Sequence, residues 1–159
     1  MEFYDWLLAL HVLAAFSLVA ALVLYTVVIV FSRNLAVPSD VARMFRVSRV
    51  GDVAIAVGSI GTLVFGVWLA IDSDAYQVWD GWVIAALVLW VLSMATGSRT
   101  GAVYNAVRDR ARALVAEGRD APDPGLSGML RSSRGPAFHT ANVVIIVALL
   151  VVMIYKPGA

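Results

Sequence analysis

Two imidazoles, one carboxylate and one guanidinium are the groups in this chain best placed to do chemistry: His11, His139, Asp52 and Arg49. Both histidines lie in long apolar runs, where a buried pair of imidazoles could hold a haem or a metal ion. Depth separates them. His11 follows Asp5 by six residues, about 9 Å in from one end of its run, and His139 follows Arg134 by five, about 8 Å in from the other. In a ~30 Å hydrocarbon core that leaves roughly 13 Å between them along the membrane normal. Two axial nitrogens on one iron must lie about 4 Å apart, so one haem shared by both is not expected. Each histidine is therefore read alone. His11 either hydrogen-bonds to a neighbouring helix or ligates a haem or metal by itself. His139 forms a small polar stripe with Asn142, three residues on, as inter-helix hydrogen bonding would use.

Arg49 and Asp52 lie three residues apart at the mouth of an apolar run. An ionisable group at a membrane edge calls for a functional hypothesis, here a proton or ion relay or an inter-helix salt bridge. The simpler reading puts Asp52 in the first turn of a helix, where a carboxylate favours the free N–H groups and the dipole. Other chemistry is excluded. With no cysteine, the chain forms no disulfide, thiolate nucleophile, cysteine-ligated cluster or covalent c-type haem. It carries no zinc-protease, phosphate-loop or dinucleotide motif, and Gly58-Ser59-Ile60-Gly61 sits inside an apolar run and is no phosphate cradle. No catalytic constellation remains, and a non-enzymatic protein is expected.

The elements that must position these groups are membrane helices. Of 159 residues, 61% are hydrophobic and 14% charged, against about 45–50% and about 25% in soluble domains. The reading is an all-α, four-helix transmembrane bundle in a single domain, 1–159, with spans at about 6–31, 51–71, 81–98 and 136–155. The N-terminal stretch has Glu2 and Asp5 but no basic residue, so the first span reads as a retained helix rather than a cleaved signal. A short helix, Val41 to Val47, is expected ahead of the second span. The third helix is expected to run on past its span to about Glu117, stopped by Gly118. A loop with one short turn around Leu126 to Leu130 follows.

Charge sets the topology. Eleven of the twelve Lys and Arg fall in the first and third connections, while Glu2, Asp5, Asp72, Asp74 and Asp80 lie on the opposite side. The positive-inside rule then puts both termini outside and the extended third helix in the cytoplasm of a bacterial inner membrane. Trp6, Trp68, Trp79, Trp82 and Tyr76 read as an aromatic belt at the outer interface. The arginines suit anionic lipid as well as topology.

Within the second span every fourth residue is small: Ala54, Gly58, Thr62, Gly66, Ala70. That spacing makes one helix face, and small residues let another helix approach closely. The expected neighbour is the first or third helix.

Certain stretches, taken together, resemble a known family. They are Leu10-His11-Val12-Leu13, the Arg49-x-x-Asp52 opening, Gly66-Val67-Trp68-Leu69-Ala70, Gly81-Trp82, and Met153-Ile154-Tyr155-Lys156-Pro157-Gly158. The chain resembles small bacterial integral membrane proteins of unknown function, themselves distantly similar to copper-resistance protein D and to the haem-containing bacterial protoporphyrinogen oxidase. The oxidase resemblance implies a haem held by a first-helix His and a third-helix Lys. His11 matches the first, whereas the third span has no Lys; the only lysine is Lys156. Three functions follow as expectations: an accessory or structural component of a membrane complex, a haem- or metal-binding protein using His11, or a transporter or channel component. The expected partners are the bilayer and other membrane subunits or a second copy, and not nucleic acid.

Overall fold

The computed structural model describes residues 3–72 and 77–157. Glu2, Asp74, Tyr76 and Gly158 lie outside the described residues. The chain forms α1 (Phe3–Ser32), α2 (Pro38–Asp72), α3 (Gly81–Ala116), α4 (Pro124–Arg131) and α5 (Arg134–Tyr155). Four stretches are long and apolar enough to cross a membrane: α1, α2, α3 and the run from α4 through α5.

The helices associate as two antiparallel pairs. In the first, α2 lies against α1: Ser17 donates to the Ala54 carbonyl at 3.1 Å. A Cβ placed on Gly58 would sit 2.8 Å from the Leu18 backbone nitrogen and 2.9 Å from the Ala14 carbonyl. Only glycine permits that backbone-to-backbone approach. In the second pair, α3 lies along α5, and Ser93 and Thr96 both donate to Asn142 Oδ1, at 2.8 and 3.1 Å. The pairs join where α2 meets α3 and Trp90 Nε1 donates to the Ser59 carbonyl at 3.2 Å. Phe3 contacts Trp68, and Lys156 lies over Trp82, so both chain ends sit beside the α2–α3 connection. We call this the terminal end and the opposite one the arginine end.

Helices α2 and α3 reach about 52 and 54 Å at 1.5 Å per residue, well beyond a ~30 Å hydrocarbon core. Arg43, Arg46 and Arg49 of α2 and Arg108, Arg110 and Arg112 of α3 lie toward the arginine end. There Val41 and Phe45 of α2, Tyr104, Val107, Ala111 and Leu114 of α3, and Leu126 and Leu130 of α4 close a core with Val28 and Ile29 of α1. Burial pushes the Tyr104 phenol up to about 12. The connections are fixed by capping. Asp123 accepts from Leu126 N–H at 2.7 Å, with Pro124 opening α4, and Asp120 accepts from Ser39 N–H at 2.8 Å in the first turn of α2. Gly118, at φ +71°, stops α3 one residue past Glu117.

One element departs from expectation. No break separates Val41–Val47 from the second span, because α2 is continuous from Pro38 to Asp72. The arginines read as a connection are the exposed face of that helix: Arg43, Arg46 and Arg49 recur every third residue, while Val41, Phe45, Ser48 and Gly51 face inward. Asp52 therefore lies in mid-helix, where the first-turn N–H groups that a capping carboxylate needs do not exist. Near Leu126 to Leu130, the expected short turn is the two-turn helix α4.

Candidate functional site

At the terminal end α1, α2, α3 and α5 enclose a cavity of about 480 Å³. That size falls within the usual range for small-molecule sites, about 300–1,000 Å³. Its walls are nearly all apolar. α1 contributes Leu8, Val12 and Phe16, α3 contributes Trp82 and Trp90, and α5 contributes Leu149 and Met153. The polar residues on its lining include His11 and Thr62, with Tyr4 and Lys156 toward the chain ends.

Gly66 positions the imidazole. A Cβ on Gly66 would sit 2.9 Å from His11 Cε1 and 3.2 Å from Nδ1, so the ring occupies the space a side chain would take. The Thr62 main chain lies near enough to act on the imidazole. Even so, Nδ1 is buried and closes no hydrogen bond of normal geometry, and neither does the buried Thr62 hydroxyl. An unpartnered buried polar atom costs about 1–3 kcal/mol. Both residues lie on the cavity lining, while these two atoms are themselves covered by protein.

The other residues singled out by sequence fall elsewhere. His139 is buried, and its Nε2 lies 2.8 Å from Thr26 Oγ1 on α1, toward the arginine end. His11 and His139 therefore serve different places. Asn142 ties α5 to α3 through Ser93 and Thr96. Asp52 accepts a hydrogen bond from the Tyr25 hydroxyl across α1, and the Tyr25 ring packs against Gly51. Arg49 is exposed and forms no ion pair with Asp52 among the described residues. The small stripe of α2 divides between neighbours: Ala54 and Gly58 meet α1, Gly66 meets His11, and Ala70 packs with Trp82 and Val83 of α3. Trp82 is 5% exposed, a wall of the cavity rather than part of an interfacial belt, whereas Trp79 is 72% exposed.

Sequence reasoning overlooked Trp90 and the pairing of Tyr25 with Asp52. Trp90 carried a signal. It lies nine residues, about 13 Å, into its span, too deep for an interfacial belt. The donor set fits a single-histidine haem: one half-buried imidazole on the lining of an apolar cavity, with a cation, Lys156, on the same lining. It does not fit a multidentate metal site, since no group of three His, Cys, Asp or Glu gathers among the described residues.

No curated protein and no solved structure matches the chain. A family profile described as a predicted integral membrane protein, DUF2269, matches residues 5–157. With the four candidate spans of the fold, that match over nearly the whole length places the chain in DUF2269, a family of integral membrane proteins.

Proposed function

We propose that this protein is a non-enzymatic accessory component of the bacterial inner membrane that binds a lipid-soluble ligand in the cavity at His11. The observation that carries this reading is an apolar cavity of about 480 Å³ with His11 and Thr62 on its lining. Haem is the specific candidate implied by the resemblance to the oxidase, and His11 would hold it as the sole axial protein ligand. Such a haem would supply redox or gas-binding chemistry. A transport role draws less support, because the cavity walls are nearly all apolar. The orientation that fits the arginine distribution has both termini outside and the long ends of α2 and α3 in the cytoplasm.

Gentle purification from native membranes, with an absorption spectrum and mass spectrometry of whatever small molecule travels with the protein, tests the reading. We expect a bound molecule that is lost in His11→Ala and in Gly66→Leu, whose side chain would displace the ring. A Soret band lost in His11→Ala identifies haem. Identical small-molecule content in wild type and both variants would overturn the proposal.

A further inference from the structure

Three features of the cavity specify its occupant. The first is height. Its lining runs from Thr62 to Ala70 on α2 and from Trp82 to Trp90 on α3, about 12 Å each, and from Tyr4 to Val19 on α1, about 22 Å. One leaflet of a ~30 Å hydrocarbon core is about 15 Å deep. The cavity therefore has the height of one leaflet, which is the reach of one phospholipid acyl chain. The second is width. A helix about 10 Å across would need roughly 1,000 Å³ over the same height, and the cavity holds about 480 Å³. It takes a chain and not a partner helix. Its walls are nearly all apolar, and His11 Nδ1 and Thr62 Oγ1 are covered by protein, so those two atoms are closed to a ligand.

The third feature is an opening with a cation beside it. α1 and α5 meet toward the arginine end, where Thr26 touches His139, and form separate walls of the cavity at the terminal end. Along those walls Leu8, Phe16 and Ile154 line the cavity and are also 43%, 69% and 73% exposed. Residues that are both lining and exposed mark an opening, and exposed apolar residues on membrane helices face lipid. The opening between α1 and α5 is therefore a side door to the bilayer. Toward the chain ends, on the same lining, stands Lys156, with its ammonium 5.3 Å from the centre of the Trp82 ring. It is the one lysine or arginine at the terminal end among the described residues. Asp5, Asp72 and Asp80 share that end, and none of the three lines the cavity. An ammonium carries three donors and can hold a phosphate oxygen beside the indole face.

We propose that the cavity takes one acyl chain of an anionic phospholipid, which enters between α1 and α5 from the leaflet at the terminal end and sets its phosphate at Lys156. This rests on the reading of the cavity as a site for a lipid-soluble molecule, and names that molecule's class and its anchor. A chain moved from bilayer to cavity stays among apolar groups. Its gain is the dispersion contacts that the walls of an empty cavity forfeit, and the ammonium selects the headgroup.

The probe is phosphatidylglycerol, set against phosphatidylethanolamine with the same chains. Each is offered to delipidated protein in detergent and read by native mass spectrometry as lipid retained per protein. Wild type is expected to hold one phosphatidylglycerol in preference to phosphatidylethanolamine. Lys156→Gln is expected to lower that retention about fivefold, the contribution of one lysine at a membrane surface, and Lys156→Arg to restore it. Val12→Trp, at a lining position 42% exposed, is expected to block the opening and release the lipid. A monodisperse elution profile checks that each variant is folded. Equal retention of the two lipids by wild type would overturn the proposal, as would retention unchanged by Lys156→Gln or by Val12→Trp. A Soret band lost in His11→Ala, together with no phospholipid retained, would overturn this inference and leave the ligand-binding reading intact. No phospholipid retained, and no co-purified molecule that depends on His11, would overturn both.

Discussion

At the arginine end Phe45, Tyr104, Leu114, Leu126 and Leu130 close on one another until none is more than 4% exposed, whereas at the terminal end the same bundle leaves a cavity of about 480 Å³. Polar satisfaction follows the same division. Ser32 and Ser48, buried near the arginine end, return their hydroxyls to the carbonyls of Ile29 and Phe45. Toward the cavity, His11 Nδ1 and the hydroxyls of Ser59 and Thr62 are buried without partners. The contrast has a physical origin. At about 52 and 54 Å, α2 and α3 are longer than a ~30 Å hydrocarbon core, and outside such a core water drives apolar side chains together. Between helices inside lipid that drive is absent, and association rests on close packing, as at Gly58. A bundle can therefore be held by one closed end and one glycine contact while its other end stays open to a ligand.

The largest expected effect tests the closed end. Phe45→Ala removes a fully buried ring from the core and should cost about 3–5 kcal/mol in thermal or denaturant unfolding. Leu149→Ala, on the cavity lining, widens a space that already exists and should cost nearer about 2 kcal/mol, at the low end of the range for such truncations. Equal losses would mean that the two ends are packed alike. The joint between them comes next. Gly58→Leu forces a side chain into the α1 backbone and should destabilise by about 3 kcal/mol, while Val57→Leu, at a position 60% exposed, should change stability by less than about 0.5 kcal/mol. Equal expression and melting temperature of these two variants would remove Gly58 as the hinge of the α1–α2 pair.

How much of this was readable in the sequence depends on the kind of fact. The spans were readable because their apolar runs are long, and the end of α3 because Gly118 follows a helical repeat that outlasts the membrane. The continuity of α2 was written there too, in Val41, Phe45 and Ser48 at helical spacing, but the arginines between them read as a connection. Charge marks the edge of the membrane and says nothing about where a helix stops. Asp52 was misplaced for the same reason. His11 stood out as a lone imidazole in an apolar run. Its surroundings did not, because a cavity arises from how helices diverge in three dimensions, and α1 and α5 are the most distant elements in the chain. Trp90 was the exception, since an indole deep in a span needs a partner, here the Ser59 carbonyl.

A small expected change in stability carries the most weight for function. His11→Leu replaces a half-buried imidazole, whose Nδ1 closes no hydrogen bond of normal geometry, with an apolar group of similar bulk against Gly66. Replacing an unsatisfied buried polar atom by carbon is near neutral or stabilising. The variant should therefore melt within about 1 kcal/mol of wild type, or above it, while losing whatever the cavity binds. The measurement is thermal unfolding of ligand-free wild type and variant in the same detergent. A loss comparable to Phe45→Ala would make the imidazole a packing element and the terminal end a second structural core. Retained stability with lost binding would show that the protein keeps His11 against the interest of its own packing, as a residue held for a ligand would be.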